Sequence, residues 1–156
     1  MKFKNNIILI LSGLLIVSNL SLAGDLRGYV SYGLKFGYSF GESDGFIYGG
    51  EVSFNCFEYA EGYSVGICFS YDKCQSLTKY HFGGEVSFYT VGIEYGPTVI
   101  KREQEYSNSF SLTTYLGFLA IPYYSVTFNN DKPAIHEVGT YLKYPAQLFG
   151  DRYYGN

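Results

Sequence analysis

Residues Leu26 to Phe40 read LRGYVSYGLKFGYSF, and the fold turns on this stretch. Its even positions are Leu26, Gly28, Val30, Tyr32, Leu34, Phe36, Tyr38 and Phe40. Its odd positions are Arg27, Tyr29, Ser31, Gly33, Lys35, Gly37 and Ser39. One face is apolar and the other is small or charged. A period of two marks a strand, because successive side chains point to opposite faces.

The rhythm continues along the chain. Phe46, Tyr48, Val52 and Phe54 oppose Gly49, Glu51, Ser53 and Asn55. Tyr63, Val65, Ile67, Phe69 and Tyr71 oppose Ser64, Gly66, Cys68, Ser70 and Asp72. Tyr80, Phe82, Val86 and Phe88 oppose Lys79, His81, Gly83, Glu85 and Ser87. Val91, Ile93, Tyr95 and Val99 oppose Gly92, Glu94, Gly96 and Thr98. Three further segments follow, with apolar rows Phe110–Phe118, Tyr124–Phe128 and Val138–Tyr144. The pattern predicts eight strands and no helix. The string GGEVSF occurs at Gly49–Phe54 and at Gly83–Phe88, a weak internal repeat.

Composition agrees with an all-β chain outside the ordinary soluble class. Of 156 residues, 20% are aromatic and only 16% are charged, against about 25% charged in a typical soluble domain. A net charge of −3 argues against nucleic-acid binding, which needs a basic surface. Two His and three Cys argue against a metal- or haem-dense protein. The first residues read as a secretory signal, 1–23: Lys2 and Lys4, an apolar run Ile7–Val17, then Ser21-Leu22-Ala23. The barrel domain is expected over 24–145 and a C-terminal tail over 146–156. Polar linkers at Gly41–Gly45, Lys73–Thr78, Lys101–Asn108 and Asn129–Ala134 alternate with shorter connections. This suggests a loop end and a turn end.

Alternation alone permits two sortings: apolar side chains inside a soluble barrel, or facing lipid around a polar lumen. Four features favour the second. Aromatics cluster near both strand ends, as at the two faces of a membrane. The expected loop-end girdle is Phe40, Phe46, Tyr48, Phe69, Tyr71, Tyr80, Phe82, Phe110 and Phe128. The turn-end girdle is Phe54, Tyr63, Phe88, Phe118, Tyr124 and Tyr144. The polar face is rich in Gly and Ser, which suits a narrow lumen. It carries Arg27, Lys35, Lys79 and Lys143 against Glu51, Glu85, Glu94 and Glu137, with His81, an expected ion-pair network of balanced charge. The strands are also about ten residues long, enough to cross a bilayer at a tilt. Pro97, on the apolar face, calls for a bulge or an open edge.

Signal, strands, connections and girdles together resemble the small eight-stranded outer-membrane barrels of Gram-negative bacteria. The series Val138, Thr140, Leu142, Tyr144 is similar to that family's C-terminal assembly signal. The resemblance implies an all-β, eight-stranded antiparallel up-and-down transmembrane barrel in the bacterial outer membrane. Its implied partners are outer-membrane lipid and the barrel-assembly machinery. It does not choose a role, since the family includes structural anchors, surface adhesion and defence proteins, and a few lipid-modifying enzymes.

Candidate chemistry is thin, and no catalytic, cofactor or metal residue is assigned. His81 or His136 with Ser70, Ser109 or Ser111 would be needed for a lipid-modifying enzyme. A lumen His in a polar network is the simpler reading. Cys56 and Cys68 fall on opposite faces of one hairpin, so no disulfide framework is expected. The main alternative is a soluble exported barrel binding an apolar ligand.

Overall fold

The computed structural model describes residues 26–58, 62–117, 120–129 and 132–149. The expected signal at 1–23, Phe118 and residues 150–156 lie outside them. Eight strands follow in order: β1 Leu26–Gly41, β2 Gly45–Glu58, β3 Tyr63–Lys73, β4 Thr78–Phe88, β5 Val91–Arg102, β6 Glu105–Leu116, β7 Ala120–Phe128 and β8 Ile135–Phe149. Each pairs antiparallel with the next, and β8 returns to β1, so the sheet is a closed barrel.

Closure runs the length of β1. Gly41 stands opposite Ile135, Gly37 opposite Gly139, and Gly33 opposite Lys143, with one irregularity at Gly28/Tyr29. The ladder continues past the expected boundary at 145, since Val30 faces Ala146 and Gly28 faces Phe149. Part of the expected tail therefore belongs to β8.

The sorting of side chains is inverted relative to a soluble protein. Leu34 is 57% exposed while its neighbour Lys35 is 2% exposed. Ile67 and Val86 face outward, whereas Glu51 and Glu85 are buried. A soluble barrel around an apolar ligand requires the opposite arrangement. Of the expected girdle, Tyr63 is half-buried and the other described members are exposed. The belt between the girdles is less aliphatic than expected. Tyr32, Phe36, Tyr38 and Tyr95 also face outward.

Pro97 sits on the outward face of β5 opposite Phe110. Toward β4, bridging lapses at Phe82 and Gly83 and resumes in the same register at Gly84 opposite Tyr95. A missing proline N–H thus opens the ladder locally, without a bulge and without an edge.

The difference between larger loops and tight turns is much smaller than expected. Connections at the loop end cover 42–44, 74–77, 103–104 and 129–134, and those at the turn end cover 59–62, 89–90 and 117–119. Most of the expected linker at 101–108 is strand, with Lys101 opposite Tyr106 and Val99 opposite Asn108. Polar residues at these strand ends resemble a loop in composition, so composition alone does not separate the two.

Lumen glycines make room for lumen tyrosines. A Cβ on Gly92 would collide with the Tyr115 ring, and one on Gly139 would strike the Phe36 carbonyl and lie 2.7 Å from Gly37 Cα. Gly37 and Gly139 let β1 and β8 close with Tyr123 beside them. We predict that Gly139→Ala lowers stability by roughly 1–3 kcal/mol, the usual cost of overpacking. Gly50→Ala, whose Cβ would meet only the Gly33 carbonyl at 3.5 Å, should change it far less. Urea titration of the refolded protein, followed by gel mobility, checks the ranking.

Candidate functional site

The interior is built in layers. At the loop end, Ile47, Ile100 and Ile135 turn inward from β2, β5 and β8 and meet Leu77 and Cys74 from the β3–β4 connection. This apolar cap was not anticipated. Strand parity would have found it, because these residues occupy the polar row.

Beneath the cap lies a group of four charges. Lys35 Nζ is 2.7 Å from Asp72 Oδ2 and 3.4 Å from Glu137 Oε2. Lys79 pairs with Glu137 and stands 3.9 Å from Asp72. Two ammonium groups face two carboxylates, all nearly fully buried. Asp72 was placed on the polar face by its parity but not counted in the expected network. Below, Lys35 Nζ lies 4.7 Å from the Tyr123 ring centroid, a cation–π contact.

The second group is unequal. Lys143 Nζ is 2.5 Å from Glu51, 3.3 Å from Glu94 and 3.6 Å from Glu85. Neutral donors add to this single cation. Tyr115 donates to Glu85, Tyr141 Oη donates to Glu94 at 3.2 Å, and Asn55 Nδ2 donates to Glu85 at 3.2 Å. Carboxylate oxygens of Glu51, Glu85 and Glu94 lie within 4.8 Å of one another, as metal ligands would. The Lys143 ammonium already stands among them, where a bound cation would sit.

Arg27, half-buried at the start of β1 opposite Phe57, belongs to neither group. Among the described residues the two groups hold three lysines and five carboxylates, where the expectation was four cations and four anions. His81 joins no carboxylate among the described residues. Its Nδ1 lies 2.9 Å from Thr98 Oγ1, which contacts Ser111 Oγ at 2.6 Å, which in turn contacts Thr127 Oγ1 at 2.8 Å. That hydroxyl chain ties β4 to β7 across the interior. His136 faces outward, stacks on Phe40 and contacts Tyr124 Oη at 2.7 Å. Among the described residues His81 hydrogen-bonds Thr98 and His136 contacts Tyr124, while Ser70 stands opposite His81 on the β3–β4 ladder.

The class this geometry defines is a closed eight-stranded antiparallel barrel, apolar outside and ionic within. No family model and no curated protein matches the chain. Two solved structures are similar in shape. Neisserial surface protein A (NspA) is 9% identical with a TM-score of 0.49, covering 74% of this chain and 95% of its own. The de novo designed TMB2.3 is 12% identical with a TM-score of 0.49, covering 78% and 96% respectively.

The two charge groups differ in what a lost lysine leaves behind. Lys143→Met strands three buried carboxylates without a cation and is expected to cost about 3–5 kcal/mol. Lys35→Met leaves Lys79 beside both Glu137 and Asp72 and should cost distinctly less. Urea midpoints of the two variants, measured side by side, test the order.

Proposed function

We propose that the chain is a small outer-membrane β-barrel of a Gram-negative bacterium, exported by a signal at 1–23. Its role on this reading is structural or surface-interacting, with a filled lumen that does not conduct. The observation that carries it is the sorting of Leu34, Ile67 and Val86 outward, with Lys35, Glu51 and Glu85 sealed inside. Large apolar side chains exposed all around a closed barrel need an apolar solvent, and a closed ladder is the only sheet that lipid tolerates.

An even number of strands returns both ends of the barrel chain to the turn end. Insertion from the periplasm would leave that end there and carry the loop end outward. Outer-membrane lipid would contact the apolar rows, and the barrel-assembly machinery would engage β8. The connections at the loop end are short, so any surface partner would meet a compact rim.

Fractionation, conductance and one substitution test this reading. The protein should fractionate with the outer membrane, require detergent for extraction, and give no large stable conductance in planar bilayers. Recovery in the soluble periplasmic fraction would contradict the location, and stable conductance would contradict the filled lumen. Ile67→Lys should cost about 2–4 kcal/mol if residue 67 faces the bilayer midplane. On a water-facing surface the same change would be nearly neutral.

A further inference from the structure

Two lysines stand on the outward side of the barrel at the loop end. Lys73 ends the β3 row that contains Phe69 and Tyr71, and Lys101 lies on the β5 row beyond Pro97 and Val99. Lys73 is opposite Thr78, and Thr78 is opposite Lys101, so the three share one cross-strand row. Adjacent strands lie about 4.8 Å apart, which sets the two lysine backbones roughly 10 Å from each other. Two flexible ammonium stems at that spacing can converge on one phosphate.

The next row down is aromatic. Tyr71 is opposite Tyr80, with ring centroids 5.5 Å apart. An open cleft of about 440 Å³ lies against this surface, lined by Tyr71, Tyr80, Lys73, Lys101 and the polar Gln75 and Ser76, with Glu103 also at its wall. Among the described residues, neither lysine is ion-paired with a carboxylate, while Arg102 and Lys132 are both held by Glu42. Lys101 Nζ instead lies 5.7 Å from the Tyr106 ring centroid. The other side of the barrel mouth presents Phe40, Phe46 and His136 outward.

We propose that Lys73 and Lys101 bind the phosphate-bearing headgroup of an anionic lipid, whose acyl chains run down the apolar face past Tyr71 and Tyr80. Charge selects the phosphate, since two unpaired cations outnumber the one acid at the cleft. Position selects a lipid over free phosphate, because the lysines sit directly above the rows that face the membrane. The proposal rests on the membrane reading above.

Native mass spectrometry of the purified protein, released from micelles, tests it with three probes: phosphatidic acid, phosphatidylcholine and inorganic phosphate. The wild type should retain phosphatidic acid and neither of the others. A K73Q/K101Q double variant should bind phosphatidic acid roughly thirtyfold more weakly, the effect of two lysines near an anionic lipid. K132Q, outside the cleft, should match the wild type. Unchanged binding by the double variant, equal retention of phosphatidylcholine, or equal binding of inorganic phosphate would each overturn the proposal. Heat-modifiable mobility and detergent dependence of the same samples report separately on the membrane reading. A detergent-dependent, folded double variant with full lipid binding defeats the lysine site alone.

Discussion

The pairing of β8 with β1 removes the last free edge of the sheet, and the two sides of the barrel depend on it. With every strand hydrogen-bonded to two neighbours, backbone polar groups are paired along the wall except at the lapse beside Pro97. The pleat can then give one row of side chains to an apolar surrounding and the next to an enclosed interior. Gly37 and Gly139 sit opposite each other at this seam. Neither has a Cβ, so the backbones close where Tyr123 also needs space.

What fills the interior follows from that enclosure. A charge sealed away from water must find its opposite, and the barrel provides this between strands that are not neighbours in the sheet. Lys35 on β1 reaches Asp72 on β3, and Lys79 on β4 reaches Glu137 on β8. Lys143 holds three glutamates with help from tyrosine hydroxyls. Such pairs are weak evidence for net stability, because desolvation offsets much of the attraction. Among the described residues, every strand but β6 and β7 contributes a charge to the interior. Those two contribute hydroxyls and the tyrosines Tyr115 and Tyr123.

Strand number and the two-row alternation were legible in the sequence because both are local, whereas the choice of the outward row rested on the aromatic strand ends and the charges of the polar row. A period of two at Leu26–Phe40 survives whatever the rest of the chain does. The charge partners were not legible, because Lys35 and Asp72 lie on strands that do not pair with each other. Asp72 and the inward isoleucines Ile47, Ile100 and Ile135 had the right parity, yet only the three-dimensional closure joined them to a group. The connections misled for a different reason. Lys101 to Asn108 has the composition of a loop, but its polar side chains decorate strand ends around a tight turn at 103–104. Pro97 suggested a bulge or an open edge, whereas the ladder skips two bridges and keeps its register.

The chain contains no tryptophan, so a single introduced indole reports its own surroundings. The most direct test reconstitutes an Ile67→Trp variant in vesicles and compares quenching by brominated acyl chains with quenching by aqueous iodide. Strong quenching by bromine and little by iodide is the predicted result. Strong iodide quenching with no effect of brominated lipid would place residue 67 in water and contradict the inside-out barrel.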